Sequence, residues 1–161
     1  MTGEASLISL AGPANKQGRI AADNICGIDS RYAGSQGSSI IKVFNLTAAV
    51  TGINETNSRR AGLPVDSVIL SPMSHAGYYP GGKVMTMKVV FERESFRLLG
   101  AQIIGYDGVD KRIDVLATAI HAGMKATELK ELDLAYAPPY SSAKDPVNMA
   151  GFMIETLLPV S

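Results

Sequence analysis

The 161-residue sequence has little of several features that mark particular protein classes. Cys26 is its single cysteine, which excludes an internal disulfide framework and any CxxC redox or zinc motif. Fifteen basic and fifteen acidic side chains balance to zero without a run of one sign, so nucleic acid is not an expected partner. No apolar run approaches the roughly 18 residues that span a bilayer. We therefore expect a soluble, cytoplasmic protein without a membrane partner.

Convincing catalytic and metal-binding patterns are also missing. Neither paired carboxylates nor a cluster of His, Asp and Glu occurs at the spacing of an acid–base or metal site, so no metal is expected. Residues 77–83 fit the GxxxxGK pattern of a phosphate loop, but Val84 stands where Ser or Thr is needed and Pro80 removes an N–H donor. His75 lacks a catalytic partner in sequence and is interpreted as a loop hydrogen-bonder. Cys26 is interpreted as a buried structural thiol.

What is present predicts one α+β domain. Apolar residues make up 46% of the chain, enough for one core. Met85, Met87, Val89 and Phe91 alternate with their neighbours, as in a strand with one buried face. Caps and periodicity predict helices at 13–26, 54–61, 110–122 and 145–158, and a short one from 127. Strands are predicted at 39–46, with 51 as an alternative end of this first strand, and at 66–70, 83–91 and 97–106. The sum is a mainly antiparallel sheet with packed helices, joined to the first helix by a linker at 29–38.

The start of the first helix, residues 10–19, predicts a site for an anion or a polarised carbonyl. Its sequence is LAGPANKQGR, whose side chains are all neutral or basic. Backbone N–H groups in a first turn are free to donate to a ligand, and the helix dipole favours negative charge there. No Gly-rich phosphate loop precedes this helix, so the sequence offers an anion-facing helix without a nucleotide fold.

Two loops rich in tyrosine are the other candidates for function. Residues 74–82 place His75 and two tyrosines among Gly and Pro, and residues 136–145 place Pro138 and Pro139 between two more. The prolines are expected to hold the second loop extended and to present its tyrosines rigidly. Tyrosines in such loops either pack at a sheet edge or subunit contact, or point a phenol at a ligand or reactive sulfur. The residues alone leave these alternatives open.

Five segments, in order along almost the whole chain, resemble the C-terminal part of the flavin-dependent pyridine nucleotide-disulfide oxidoreductases. The segments are LAGPANKQGRIAADN at 10–24, GSSIIKVFNLT at 37–47, HAGYYPG at 75–81, GVDKRIDV at 108–115 and YAPPYS at 136–141. The branch they resemble contains the coenzyme A disulfide reductases and related NADH oxidases. The resemblance implies an interface (dimerisation) domain at 35–161, preceded at 1–34 by the last helix of an FAD-binding domain. The fold it implies is that of the reductase dimerisation domain.

The resemblance also implies cofactors and partners, all of them for a longer parent enzyme. That parent would be a homodimer using FAD and NAD(P)H on coenzyme A disulfide or a related sulfur or oxygen substrate. The redox cysteine and both nucleotide-binding domains are not among these residues, so the chain alone is expected to be inactive and to bind no cofactor. The main alternative is a stand-alone oligomerisation or interaction module without redox function. A small enzyme relying on His75 or Cys26 is a third hypothesis.

Site residues follow from the resemblance only where the motifs match. The first helix would point its N-terminus at the pyrimidine edge of the flavin, which assigns cofactor contacts to Leu10, Ala11, Gly12 and Pro13. Asn15 would lie on the substrate side, and Lys144 would meet the coenzyme A phosphates. The catalytic residues would be Tyr78 and Tyr136, contributed across the dimer to the partner's flavin and sulfur site. Tyr136 would also contact the cofactor.

Overall fold

The structure is a computed structural model that describes residues 7–158. Five antiparallel strands form one sheet in the order β1-β2-β5-β4-β3. The strands are β1 Ser39–Val43, β2 Leu46–Gly52, β3 Val65–Leu70, β4 Thr86–Glu92 and β5 Leu98–Gly105. The helices are α1 Ala11–Ile25, α2 Glu55–Arg60, α3 Val109–His121 and α4 Pro146–Glu155, with a 3-10 helix at Ala126–Glu131. The predicted α+β fold with a mainly antiparallel sheet is confirmed.

The main core lies between one face of the sheet and the helices α3 and α4. The predicted alternation is confirmed, because Met85, Met87, Val89 and Phe91 are each at most 1% exposed. Leu116 of α3 and Val147 of α4 are fully buried in the same cluster. Burying each such side chain contributes roughly 1.5–3 kcal/mol. This packing fixes where α3 and α4 begin, and the segments before both helices therefore meet at one end of the sheet.

A smaller cluster covers part of the opposite face. Val65, Val90 and Leu99 are buried there, against Ile53 and Leu63. The short helix α2 lies beside β3 and begins as predicted, because the Asn54 side chain accepts a hydrogen bond from the Asn57 N–H at 2.8 Å.

The first predicted strand begins at Ser39 as expected, but its continuation beyond Val43 is wrong, because the chain turns back on itself at Phe44. Residues 39–52 form two strands, β1 and β2, paired with Val43 opposite Leu46. Phe44 has φ of 53°, a left-handed conformation that is uncommon for an aromatic residue and that suits a two-residue hairpin turn. The turn residues Phe44 and Asn45 are flanked by apolar residues on both sides, so the sequence reads as one continuous strand.

The helix α1 lies on the surface. None of its residues is buried, and Cys26, which follows its last turn, is an exposed free thiol. The interpretation of Cys26 as a buried structural thiol is therefore wrong for this structure. Burial requires a second layer over the helix, and no such layer covers α1 among the described residues. No helix within residues 7–158 has the length and apolar character needed to cross a membrane.

Candidate functional site: a tyrosine pair above a buried arginine

The two tyrosine-rich loops meet at one end of the sheet. We call residues 74–82, between β3 and β4, the first aromatic loop, and residues 136–145, before α4, the second aromatic loop. The phenol oxygens of Tyr78 and Tyr136 lie 3.0 Å apart, within hydrogen-bond distance, although 58 residues separate them in the sequence. Both side chains face solvent, Tyr78 with 77% and Tyr136 with 47% of its surface exposed. The structure thus joins the two predicted catalytic residues into one tyrosine pair.

The pair changes the acid–base chemistry of Tyr136. The hydrogen bond with Tyr78 raises the pKa of Tyr136 above the ordinary value of 10.0, and partial desolvation acts in the same direction. A phenol with a raised pKa keeps its proton at neutral and mildly alkaline pH. The Tyr136 hydroxyl is therefore protonated at neutral pH and can donate a hydrogen bond to a ligand atom that gains negative charge.

Backbone hydrogen bonds shape both loops beneath the phenols. The Ala76 N–H donates to the Ser141 carbonyl at 2.9 Å, which joins the two loops directly. The Tyr140 N–H donates to the Ala137 carbonyl at 2.9 Å, so Pro138 and Pro139 lie in a tight turn. The expected extended form of these prolines is wrong. Proline is also compatible with turns, because its fixed φ of about −65° suits their first central position.

Arg112 lies below the tyrosine pair and is 1% exposed. Its Nη2 atom donates to the Ser74 carbonyl at 3.0 Å and to the Tyr140 carbonyl at 3.2 Å. The same nitrogen is 3.0 Å from Oδ2 of Asp145, itself only 3% exposed. A buried guanidinium thus forms hydrogen bonds with both aromatic loops and an ion pair with the last residue of the second loop.

Asp145 has two structural roles. As predicted, it caps α4, with its carboxylate accepting from the Val147 N–H at 3.0 Å, and Pro146 follows as the first helical residue. Burial acts to raise the pKa of Asp145, but hydrogen bonds from Val147, Ser141 and Arg112 outweigh it and hold that pKa below the ordinary 3.8. The carboxylate is therefore charged in the folded protein at every physiological pH.

The depressed pKa of Asp145 predicts how stability depends on pH. The unfolded chain binds a proton at Asp145 more readily than the folded one, so this group's contribution is full above its ordinary pKa. It is lost as the pH falls through the lower folded pKa. The free energy of unfolding, measured by urea denaturation between pH 6 and pH 2, should fall steeply below about pH 4.

Two variants separate Asp145 from the other carboxylates. Asp145→Asn should be less stable than the parent at pH 6, and the two curves should converge toward pH 2 because protonation already removes the parent's charge. Asp107→Asn changes an exposed carboxylate and should leave the parent's pH dependence in place. A parallel pair of curves for the parent and Asp145→Asn across the whole range contradicts the interpretation.

The remaining predicted site residues lie apart from the tyrosine pair. At the start of α1, three of these residues are exposed: Ala11, Gly12 and Asn15. Leu10 and Pro13 are half-buried. No acidic side chain and no side-chain cap occupies this turn. Within residues 7–158, no hydrogen bond or ion pair joins α1 to either aromatic loop. Lys144 is exposed, with its ammonium 4.5 Å from the centre of the Phe152 ring.

Other sequence hypotheses gain a location. His75 is buried with Nδ1 3.2 Å from the Ala76 carbonyl, which agrees with its interpretation as a loop hydrogen-bonder. The GxxxxGK segment is followed by strand β4, as expected, rather than by the helix that a phosphate loop requires. Across the described part of the chain, no group of three His, Cys, Asp or Glu residues is arranged to hold a metal ion.

Sequence reasoning missed the residues that support the tyrosine pair. A pocket of about 290 Å³ beside the pair is lined by Lys111, Ala135, Tyr136, Ala137 and Tyr140. Lys111 donates to the Ala135 carbonyl at 3.1 Å, next to Tyr136. Arg112 and Lys111 stand on a helix whose apolar stripe was recognised, and a charged residue there is ordinarily assigned to the solvent face. The missing signal was that Arg112 lies four positions before Leu116, on the buried stripe.

A wider depression of about 580 Å³ lies elsewhere, between Lys42, Asn45, Lys83 and Tyr106. None of these residues was predicted to belong to a site. Its lining lacks the buried polar groups that the tyrosine pair has beneath it.

The chain matches known proteins along almost its whole length. The family profile described as "Pyridine nucleotide-disulphide oxidoreductase, dimerisation domain" matches residues 38–146. A coenzyme A disulfide reductase of Staphylococcus epidermidis is 37% identical over 146 residues, which are 90% of this chain and 33% of that protein. This chain therefore spans about a third of the length of the curated relatives it matches.

Solved structures agree with this result. Bacillus anthracis CoADR-RHD, in its reduced form, superposes with a TM-score of 0.90 at 49% identity, covering 97% of this chain and 28% of that one. A NAD-dependent persulfide reductase from A. fulgidus gives a TM-score of 0.90 at 44% identity, covering 96% and 29%. A water-forming NADH oxidase from Lactobacillus brevis gives 0.90 at 22% identity, covering 96% and 34%, which shows the shared fold alone.

Proposed function

We propose that this chain, which belongs to the pyridine nucleotide-disulphide oxidoreductase family, forms the subunit contact of a flavin-dependent disulfide reductase. The chain belongs to the family through its dimerisation domain. In this proposal two copies associate as a homodimer, and Tyr78 and Tyr136 of one copy complete the flavin and substrate site of the other. The observation that carries the proposal is the tyrosine pair, 3.0 Å between phenol oxygens, exposed and held by a buried network.

The substrate class follows from the chemistry of the pair and the names of the relatives. When coenzyme A disulfide, another small disulfide or a persulfide takes up two electrons, its S–S bond breaks and a sulfur anion leaves. When a peroxide takes up two electrons, its O–O bond breaks and a hydroxide or alkoxide ion leaves. A phenol that keeps its proton stabilises such an anion by a hydrogen bond and transfers the proton to the leaving sulfur or oxygen. Tyr136 is the donor in this proposal, and Tyr78 orients it.

The first turn of α1 fits an FAD contact. Its N–H groups have no side-chain cap and no acidic neighbour, so the turn presents positive potential to a ligand. FAD, when bound, relays the two electrons of NAD(P)H to the substrate. Leu10, Ala11, Gly12 and Pro13 would approach the pyrimidine edge of its ring, and Asn15 would face the substrate side. Lys144 would contact a phosphate of coenzyme A, in place of its present contact with the Phe152 ring.

Residues 1–34 are assigned to the end of an FAD-binding domain and residues 35–161 to the interface domain. The segment at 28–38, between α1 and β1, contains neither helix nor strand, which supports a boundary there. The complete lack of buried residues in α1 supports the division, because a helix that belongs to another domain packs on that domain's core rather than on this sheet.

The purified chain should be dimeric, colourless and inactive. Sedimentation velocity measured over a hundredfold range of concentration is expected to give twice the mass of 17.0 kDa, with dissociation only at the lowest concentrations. Added FAD should remain in the filtrate after ultrafiltration, and NADH should not be consumed in the presence of coenzyme A disulfide. A monomer at every concentration would refute the assigned subunit contact, and a yellow, flavin-loaded chain would refute the assignment of FAD binding to other domains.

A further inference from the structure

We infer that Arg112 is the positioning residue of the tyrosine pair: its buried guanidinium holds the two aromatic loops at the one separation that lets Tyr78 and Tyr136 meet. What this separation does for a reaction rests on the proposed function. The separation itself is a property of this chain.

The phenols are not positioned by their own packing. Tyr78 is 77% and Tyr136 is 47% exposed, so few side-chain contacts fix either ring. A hydrogen bond between two exposed hydroxyls contributes little, because water competes for both groups. The pair can persist only if the backbones that carry the two tyrosines are held together below them.

The sheet does not hold these backbones together either. The first aromatic loop joins the edge strand β3 to its neighbour β4, whereas the second follows the 3-10 helix and leads into α4. Their direct backbone connection is the hydrogen bond from Ala76 to Ser141 at 2.9 Å. One such bond leaves the loops free to pivot about it.

Arg112 supplies the additional connections from the first turn of α3. Its Nη2 atom donates to the Ser74 carbonyl of the first loop at 3.0 Å and to the Tyr140 carbonyl of the second at 3.2 Å. The carboxylate of Asp145, which ends the second loop, lies 3.0 Å from the same nitrogen. The Nε atom also donates to Oδ1 of Asp145, at 3.4 Å, so the planar guanidinium binds this carboxylate through two nitrogens in a fixed fork. The fork fixes the position of Nη2, which the single flexible ammonium of lysine does not.

The guanidinium is itself held in place from below. Its Nη1 atom donates to the Gly108 carbonyl at 3.1 Å, and Gly108 has φ of 67°. A Cβ at Gly108 would lie 2.0 Å from Nη1, so glycine is required both for the turn and for the space that Arg112 occupies. Lys111, the preceding residue, holds the start of the second loop by its bond to the Ala135 carbonyl at 3.1 Å. One turn of α3 therefore holds both ends of the second loop.

Two variants separate positioning from simple stability. Arg112→Lys keeps a positive charge beside Asp145 but loses the planar, forked set of N–H donors of the guanidinium. The double variant Arg112→Met/Asp145→Asn removes the ion pair without leaving a buried charge alone, and asparagine still caps α4. Arg97→Lys, at an exposed arginine, is the matched control. Circular dichroism and thermal unfolding identify which variants are folded.

The readout is the pKa of Tyr136. It is measured from the NMR chemical shift of a ring carbon of Tyr136, as the pH is varied, in protein labelled with ¹³C-tyrosine. Tyr78→Phe and Tyr136→Phe assign the signals, and Tyr78→Phe gives the pKa of Tyr136 without its partner. In the parent and in Arg97→Lys the pKa of Tyr136 should lie above that reference. In Arg112→Lys and in the double variant it should fall to the reference. Exchange of the Ala76 amide hydrogen should also become at least about fivefold faster, since the bond it makes across the loops opens.

Each outcome decides the inference. A folded Arg112→Lys or double variant in which Tyr136 still titrates as in the parent overturns it, since the pair then forms without the fork. A parent in which Tyr78→Phe leaves the pKa of Tyr136 unchanged overturns it too. Neither result depends on flavin, on substrate or on dimerisation, so a failure of the proposed function leaves this test intact.

Discussion

Arg112→Met is expected to lower the free energy of unfolding by about 3 kcal/mol, the lower end of the range for removing one member of a buried ion pair. Lys111, whose ammonium lies 3.6 Å from Oδ2 of Asp145, leaves that carboxylate one partly exposed charged neighbour. Arg112 is 1% and Asp145 3% exposed, so water does not replace the missing partner. The carbonyls of Ser74 and Tyr140 lose a donor at the same time. Urea denaturation at pH 7, with its midpoint and slope, measures the change.

The double variant tests the physical reason for this loss. Arg112→Met/Asp145→Asn removes both charges and should recover a large part of the stability, because a neutral pair has no uncompensated buried charge. Arg97→Met, at an exposed position, should change the free energy of unfolding by less than about 0.5 kcal/mol. If Arg112→Met costs no more than Arg97→Met, the buried pair does not have the structural importance assigned to it.

Tyr136→Phe, made in the complete reductase proposed above, is expected to lower turnover by about 10²-fold or more while the dimer remains intact. This is the range for removal of a positioned proton donor. The raised pKa of Tyr136 predicts that the parent keeps its activity into the alkaline range, since the phenol stays protonated there. In the parent, activity should fall at high pH as the Tyr136 phenol loses its proton. The pH profile of the variant should lack this fall.

Tyr79→Phe is the control for that experiment. Tyr79 is adjacent to Tyr78 in the first aromatic loop, but its ring packs edge-on against His75, with the centroids 5.7 Å apart. Loss of its hydroxyl should leave turnover within about twofold of the parent, as expected for a group that makes no transition-state contact. If Tyr136→Phe keeps the parent's turnover and pH profile, Tyr136 has no catalytic role.

Local sequence patterns predicted much of the fold because their physical causes are local. Asp145 and Pro146 mark the start of α4 by a cap and a first-turn proline, and the structure has both. The hairpin at Phe44 was missed because its turn lacks the glycine that ordinarily permits positive φ. The helix α4 ends at Glu155 rather than near Leu158, because the chain then tightens into turns in which Leu157 donates to the Ile154 carbonyl and Leu158 to the Glu155 carbonyl.

The arrangement of the candidate site depends on distant parts of the chain and was beyond sequence reasoning. Tyr78 and Tyr136 were predicted separately, from their loops and from a family resemblance, and nothing local indicates that their hydroxyls meet. Arg112 lies within the GVDKRIDV segment at 108–115, and the sequence of that segment does not indicate that its side chain is buried. Its burial follows from the packing of α3 against the segment that precedes α4, and that packing is set by the whole core.

The central claim is that the tyrosine pair of one subunit acts at the site of its partner, and hybrid dimers of the complete reductase test it most directly. One subunit carries Tyr78→Phe and Tyr136→Phe, and the other lacks the redox cysteine of its flavin domain. Each variant alone should be inactive. If the pair acts across the dimer, a reassorted equal mixture should recover about a quarter of the parent's activity, since half the dimers are hybrid and each has one complete site. A mixture as inactive as the two variant homodimers would contradict the claim, because it would place each tyrosine pair at the site of its own subunit.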